Sequence, residues 1–134
     1  MIEKLIISGK RKTAIAKLRV KPGNGKIFYN YLPASELNFF YKLSLSEPIR
    51  IYERELGECK YDFFIKTMGG GKEAQIQAAR LAIAKALVLA TGSDVLKKAY
   101  LAYDRNMLVP DARRKEAAKP GDSAPRAKRQ KSYR

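Results

Sequence analysis

The sequence predicts a mixed α and β body followed by a basic tail, and three observations support this division. Apolar and basic side chains alternate over residues 14–21, which is the period-2 pattern of a half-exposed strand. Apolar residues recur at helical spacing over residues 72–90. After Val109 the chain contains no Ile, Leu, Val, Met or Phe. We therefore expect a globular α/β body over residues 1–109 and an extended tail over residues 110–134.

Short local signals predict the other elements of the body. A Pro-Gly-Asn-Gly turn at residues 22–25, followed by further apolar residues, predicts a hairpin over residues 14–30. A helix is expected over residues 33–43, whereas residues 48–52 suit either a strand or a helix. The aromatic and apolar run at residues 61–65 predicts a further strand.

The helical spacing over residues 72–90 predicts a long helix, and the residues that follow it predict another helix. Gly92 is a C-terminal stop signal, and Ser93 or Asp94 can cap a helix that runs to about residue 103. Alanines flank the apolar stripe of the long helix, so a sheet or another helix can approach its sides closely.

The glycine-rich turn before the long helix has an enzymatic and a structural interpretation. The backbone N–H groups of Gly69, Gly70 and Gly71 could bind phosphate at a helix N-terminus. A Walker loop, however, requires Ser or Thr after its Lys, and here Glu73 follows Lys72. We favour the structural interpretation, in which the glycines permit a tight strand-to-helix turn and close packing.

The charge of the chain indicates a polyanionic partner. The sequence has 28 Lys and Arg against 13 Asp and Glu, for a net charge of +15. Residues 8–26 carry +7 without a single acid, and residues 105–134 carry another +7. Strand alternation also puts Lys17, Arg19 and Lys21 on one face, next to the basic run at residues 10–12.

Composition argues against several classes of function. The chain has no His, which removes the commonest general base and metal ligand, and its single Cys59 cannot form an internal disulfide or a Cys-rich zinc site. No apolar run is longer than five residues, and the N-terminus lacks the apolar region of a secretory signal. We expect a cytoplasmic protein with no catalytic residues, metal, cofactor, small-molecule substrate or membrane contact.

The tail is expected to be disordered in the free protein. Its composition cannot bury enough apolar surface to offset the entropy of ordering, and Pro110, Pro120 and Pro125 interrupt any helix. Fully extended, residues 111–134 could reach roughly 80 Å at ~3.3 Å per residue. A basic segment of that reach can enter a folded polyanion while the body stays outside.

Four motifs, in order along the chain, resemble the small-subunit ribosomal protein S-nine family. They are SGKRKTA at residues 8–14, the triple glycine with its following helix at residues 69–87, YDR at residues 103–105, and RAKRQKSYR at residues 126–134. The last two are similar to the archaeal branch of the family. The resemblance covers nearly the whole chain, although residues 31–60 match poorly.

The resemblance implies a fold and a function. The fold would be an α+β, two-layer sandwich like domain two of ribosomal protein S-five, with a left-handed βαβ crossover, a rare hand. The function would be assembly into the head of the small ribosomal subunit, with rRNA and neighbouring ribosomal proteins as partners. The family's tail would reach the anticodon stem-loop of the peptidyl-site tRNA.

Candidate residues follow from the basic segments and the resemblance together. We assign rRNA contacts to cations in both basic segments, namely Lys10, Arg11, Lys12, Lys17, Arg19, Arg105, Arg113, Arg114 and Lys115. The first five of these form what we call the N-terminal patch. Contacts to tRNA are assigned to the end of the tail, at Lys128, Arg129, Lys131, Tyr133 and Arg134. A structural turn and helix start are assigned to Gly69, Gly70, Gly71 and Gln75.

Two other classes of function stay open at the level of sequence. A DNA-compacting or other nucleic-acid-binding protein would share the basic tail, although the folded body does not suggest a reader of the DNA grooves. A small phosphotransferase could use the glycine turn, but the chain has no His, and the turn lacks both the Ser or Thr after its Lys and a nearby cluster of acids.

Overall fold

A five-stranded mixed sheet carries its helices on one side in the computed structural model, which describes residues 5–133. The long helix α2 (Lys72–Thr91) packs on the sheet, α1 (Phe39–Leu56) packs on α2, and α3 (Asp94–Tyr103) packs on α1. In chain order the elements are β1 (Ile6–Arg11), β2 (Ala14–Pro22), β3 (Ile27–Tyr29), β4 (Leu32–Pro33), α1 (Phe39–Leu56), β5 (Tyr61–Met68), α2 (Lys72–Thr91) and α3 (Asp94–Tyr103). The predicted α+β, two-layer architecture is confirmed.

Strand β2 divides its side chains between the core and solvent as its alternation predicts. Ala14, Ala16, Leu18 and Val20 are fully buried beneath the helices. On the other side of the strand Ile15 is half-buried, and Lys17, Arg19 and Lys21 are exposed. This strand pairs with β1 on one side and β5 on the other, both antiparallel. One sequence pattern therefore positions both a layer of the core and a row of positive charge.

The prediction of a hairpin over residues 14–30 is wrong. The strand order is β1-β2-β5-β3-β4, so β5 lies between β2 and β3. Asp62 of β5 explains how the turn crosses that strand, because its Oδ1 accepts the backbone N–H groups of Asn24 and Lys26 at 2.9 and 3.0 Å. The turn signal was correct, but β2 and β3 each pair with β5 and not with each other.

The helix predicted over residues 33–43 starts later and continues further. Pro33 ends the short edge strand β4, and a single 3₁₀ turn intervenes before Asn38, whose side chain caps α1. The ambiguous residues 48–52 lie inside α1, with Pro48 buried in the helix. The Pro48 carbonyl accepts a hydrogen bond from the hydroxyl of Tyr100 at 2.7 Å, which joins α1 to α3.

Strands β3 and β5 are parallel neighbours, and α1 connects them. This arrangement is the βαβ unit that the family resemblance implies, while its left-handedness stays a prediction. The predicted strand at residues 61–65 and the two later helices are confirmed. Gly92 ends α2 in a left-handed conformation with φ 61°, and the Ser93 side chain caps α3.

Small residues allow α2 to approach the sheet closely. A Cβ atom at Gly9 of β1 would overlap the backbone carbonyl of Ala78 in α2. Small residues continue on the neighbouring strand, since Ala14 and Ala16 of β2 are completely buried, as are Ala78, Ala79 and Ala82 of α2. The expected close approach along the sides of this helix is therefore confirmed.

The body ends shortly after α3. A 3₁₀ turn at Arg105–Met107 is the last regular element, and Met107 is fully buried. From residue 110 to residue 133 the chain forms no helix or strand, and nearly every residue is exposed. Over the described residues, none of the helices has the length and apolar character needed to cross a membrane.

Candidate nucleic-acid interface

The tip of the β1–β2 hairpin presents cations to solvent. Arg11 and Ala14 form the last pair of the ladder, so Lys12 and Thr13 form the turn, which we call the hairpin tip. Lys10 and Lys12 are exposed. Lys12 has φ 53°, a left-handed conformation that side-chain-bearing residues rarely adopt. The chain thus holds a lysine where glycine or asparagine would fit the backbone more easily.

Arg11 differs from its neighbours because its charge is already paired. Its guanidinium forms an ion pair with Asp111 at the start of the tail, and the two side chains are only 18% and 11% exposed. Arg113 binds the same carboxylate through Nε and Nη2 at 2.8 and 2.7 Å. These bonds from Arg113, and then from Arg11, hold the pKa of Asp111 well below its usual range. Two of the nine predicted rRNA-binding cations therefore share one acid.

The sheet has an exposed side, opposite α2, which we call the open face. Pairing register brings three of its residues into one row across the strands, with Lys17 between Ser8 and Lys66. The next row brings Arg19 between Ile6 and Phe64. In full, the open face contains Ile6, Ser8, Lys10, Ile15, Lys17, Arg19, Lys21, Phe28, Asp62, Phe64, Lys66 and Met68.

An aromatic pair lies within this cationic surface. The rings of Phe28 and Phe64, on the neighbouring strands β3 and β5, stack with centroids 5.0 Å apart and planes inclined by 6°. The ammonium of Lys21 lies 5.0 Å from the centroid of the Phe64 ring, within the range of a cation–π contact. A groove of about 380 Å³ runs past these side chains, with Ile6 and Tyr31 at its ends.

Acidic side chains near the interface are already engaged. Asp62 holds the turn after β2, as described above. Glu47 and Asp104 pair with Arg80 at 2.6 and 3.3 Å, so this arginine serves the packing of the body. In the part of the chain that the structure describes, Lys10, Lys12, Lys17 and Arg19 take part in no ion pair.

The remaining predicted cations lie at or beyond the end of the body. Arg105 is exposed in the last 3₁₀ turn, and Arg114 and Lys115 are exposed at the start of the tail. At the far end Lys128, Arg129, Lys131 and Tyr133 are exposed, Tyr133 by 90%. The backbone N–H of Arg129 donates to Asp122 at 3.2 Å. Arg134 lies outside the described residues.

The glycine turn supports the hairpin tip. Gly69 and Gly70 have φ of 74° and 63°, and a Cβ at Gly69 would lie 2.6 Å from the carbonyl oxygen of Thr13. The Gln75 side chain donates to the Gly69 carbonyl at 2.9 Å and accepts from the Tyr29 hydroxyl at 3.4 Å. These contacts pack the turn against the segment that carries Lys12.

Gly71 differs from the other two glycines of the turn. It precedes α2 with an extended backbone at φ −96°, and a side chain there would meet open space. Within residues 5–133, no group of three His, Cys, Asp or Glu side chains could hold a metal ion. Close packing at this turn therefore involves Gly69 and Gly70 and not Gly71.

Sequence reasoning missed three contributors to this surface, namely Phe28, Phe64 and Lys66. The signal was present in β5, where Asp62, Phe64 and Lys66 alternate with buried Phe63 and Ile65. Pairing of β5 with β2, which the alternation alone does not reveal, brings these side chains beside Lys17, Arg19 and Lys21. Asp111 was also missed as a partner for Arg11, because 100 residues separate the two.

Comparison with known proteins identifies the family. The chain matches the family described as "Ribosomal protein S9/S16" over residues 9–134. Proteins called "Small ribosomal subunit protein uS9" from Methanococcus maripaludis and Methanococcus vannielii are each 46% identical over 129 residues, which covers 94% of this chain and 95% of the relative. These relatives are ribosomal proteins and not enzymes, in agreement with the prediction. The chain belongs to the ribosomal protein S9/S16 family.

Proposed function

We propose that this protein is a structural, rRNA-binding constituent of the small ribosomal subunit, located in its head. The name of its archaeal relatives supports the subunit assignment. The single observation that carries the rRNA assignment is the row of cations on the hairpin tip and open face that pair with no acid among the described residues. Within this proposal the protein acts in cytoplasmic ribosomes, beside neighbouring proteins of the subunit head.

The chemistry of an RNA helix explains why such a surface suffices. Helical RNA presents phosphates and 2′-hydroxyl groups, while its deep major groove is closed to side chains. Exposed Lys10, Lys12, Lys17 and Arg19 offer charge that no acid of residues 5–133 neutralises, so they can replace the counterions of RNA phosphates, whether these belong to a helix or to an unpaired segment. Glycine-supported packing holds the hairpin tip in one place, which lets the contacts form together.

The tail is proposed to act as a second, extended binding element. Its division from the body at residue 110 is supported by the end of regular structure after Met107. The Arg11–Asp111 ion pair fastens the start of the tail to β1. Fully extended, residues 111–134 could reach roughly 80 Å from that anchor at ~3.3 Å per residue. Within this proposal the residues at the far end, Lys128, Arg129, Lys131, Tyr133 and Arg134, contact the anticodon stem-loop of the peptidyl-site tRNA.

A binding experiment with matched removal of charge tests the rRNA assignment. A Lys10→Ala/Lys12→Ala variant should bind small-subunit rRNA more weakly. Its plot of log K against log[salt] should flatten by roughly 0.7–0.9 for each phosphate that the variant no longer neutralises. A Lys97→Ala/Lys98→Ala variant is the control, because it removes the same charge from exposed positions of α3. Equal slopes for the two variants would remove Lys10 and Lys12 from the interface.

Co-sedimentation separates this function from the DNA-binding alternative. The protein should migrate with small subunits and stay bound at moderate salt, because many contacts form at once. Migration with DNA instead would favour the DNA-compacting function.

A further inference from the structure

The open face combines two properties that a purely electrostatic surface does not need. Lys17, Arg19 and Lys66 supply charge, as the backbone of any nucleic acid would require. Between and beside them lie exposed apolar groups, with Ile6 61% and Tyr31 85% exposed at the ends of the groove. Apolar surface of this kind contributes nothing to phosphate binding, so it calls for a ligand with an apolar part.

The centre of the groove has an ordered aromatic surface. Phe28 and Phe64 are half-buried, and their parallel stacking fixes both rings on adjacent strands of a rigid sheet. The aliphatic stem of Lys21 carries its ammonium over Phe64, so apolar surface and positive charge meet at one ring. The groove lined by these residues has a volume of about 380 Å³.

We propose that the open face binds an unpaired segment of RNA, with a base against the Phe28–Phe64 pair and the flanking phosphates on Lys17, Arg19 and Lys66. This inference rests on the proposed rRNA-binding function and adds the kind of RNA that the surface takes. It assigns duplex phosphates to the hairpin tip and an unstacked nucleotide to the sheet.

A single strand of RNA fits the open face better than a duplex does. In a duplex the bases are stacked on each other, so their flat faces cannot meet a protein ring. A single strand offers a π-face and a phosphate at every nucleotide, which matches apolar and cationic groups that alternate at short distance. Aromatic rings on the open side of a sheet are an established way to bind such bases.

An acidic protein segment is the alternative ligand for the open face, because it too would be attracted by positive charge. Carboxylates could bind Lys17 and Lys66, so a cationic face alone does not exclude them. Among the described residues of this face Asp62 is the only acid, and its oxygen is engaged by the turn after β2. Around the rings the face therefore carries several cations and one acid, Asp62, whose carboxylate is held by the turn, and this excess of positive charge suits a ligand with a negative charge on every residue. The experiment therefore includes an acidic peptide that competes with RNA for the open face.

Three RNA probes test the proposal with the full-length protein. They are an unstructured oligonucleotide, the same strand with abasic riboses in place of its nucleosides, and a perfect duplex of equal length. The wild-type protein should bind the base-bearing strand at least about fivefold more tightly than the abasic strand. Equal affinities for these two strands would overturn the proposal.

A pair of variants locates the effect. Phe28→Leu/Phe64→Leu keeps apolar side chains but removes the rings, and it should abolish most of the preference for bases while leaving duplex affinity unchanged. Phe39→Leu/Phe40→Leu is the control, because these rings are 66% and 70% exposed at the start of α1 and lie outside the groove. A reduced preference in the control alone would place the base elsewhere and overturn the proposal.

Two further measurements keep the test decisive. The Phe28→Leu/Phe64→Leu variant could fail to fold. In that case NMR of the wild-type complex should show Phe64 ring protons close to protons of a base. The absence of such contacts would count against the proposal. An acidic, phenylalanine-containing peptide that displaces the single strand and requires the same rings would overturn it in favour of a protein partner. Failure of all three RNAs to bind would instead contradict the proposed rRNA-binding function.

Discussion

Asp111 and Arg11 form an ion pair that fastens the start of the tail to the last residue of β1. Arg113, two residues further along the chain, binds the same carboxylate. Both basic segments of the sequence therefore meet at one acid. The ion pair fixes the point from which the tail leaves and reduces the charge that Arg11 can offer to RNA.

Arg11 should contribute less to RNA binding than the lysines beside it. Because Asp111 already neutralises its guanidinium, Arg11→Ala should change the salt dependence of rRNA binding less than either Lys10→Ala or Lys12→Ala. Asp111→Asn should have the opposite sign and steepen the dependence, since it frees a cation. Titrations of rRNA at several salt concentrations measure these slopes. An effect of Arg11→Ala as large as that of Lys12→Ala would show that Arg11 leaves Asp111 to bind RNA.

The Asp111 ion pairs should make a pH-dependent contribution to stability. The pKa of Asp111 is lowered in the folded protein by Arg113 and Arg11. Their contribution is therefore complete above the unfolded pKa, near 4, and declines as pH falls toward the folded pKa. Urea unfolding of wild type and Asp111→Asn should differ by a constant amount from pH 7 to about pH 5 and by less at pH 3. A difference that grows as the pH is lowered would contradict this assignment.

The lysine side chain at position 12 should lower the stability of the protein while it raises the affinity for rRNA. Lys12→Gly relieves the left-handed backbone and removes the charge, whereas Lys12→Ala removes the charge alone. The two variants should reduce rRNA affinity equally, but Lys12→Gly should be more stable than Lys12→Ala by about 1 kcal/mol. Chemical denaturation and rRNA titration of both proteins provide the comparison. Equal stability would mean that the hairpin tip adapts its backbone at no cost.

Packing of α2 against β1 should be intolerant of one added methyl group. Gly9→Ala forces a Cβ into the backbone carbonyl of Ala78, so the helix must shift, at a cost of about 1–3 kcal/mol in the free energy of unfolding. Gly71→Ala is the matched control, because its Cβ meets nothing within 4 Å and its φ is −96°. Urea midpoints measure both changes, and a control as destabilised as Gly9→Ala would argue against close packing as the cause.

Periodicity predicted elements better than it predicted their partners. The alternation of β2 and the apolar stripe of α2 are local, so both elements were predicted close to their observed bounds. The position of β5 between β2 and β3 depends on contacts such as Asp62 with the turn, which lie far apart in the chain. The start of α1 was predicted too early, because Pro33 is compatible with the end of an edge strand as well as with the start of a helix.

The candidate interface was predicted to a similar extent. Runs of cations are visible in the sequence, and the structure keeps Lys10, Lys12, Lys17 and Arg19 exposed. Pairing of Arg11 with Asp111 and stacking of Phe28 on Phe64 are products of tertiary structure, which no local pattern encodes.

Within the small subunit, the tail of this protein is proposed to contact the peptidyl-site tRNA. The most direct test measures tRNA dissociation from small subunits assembled with protein that lacks residues 128–134. A Lys128→Gln/Arg129→Gln/Lys131→Gln variant retains the length of the tail and separates charge from reach. Assembly should remain normal, and tRNA in the peptidyl site should be weakened by roughly 1–3 kcal/mol, the scale of one or two charge-assisted contacts. Normal assembly with unchanged dissociation would contradict the role of the tail at the tRNA.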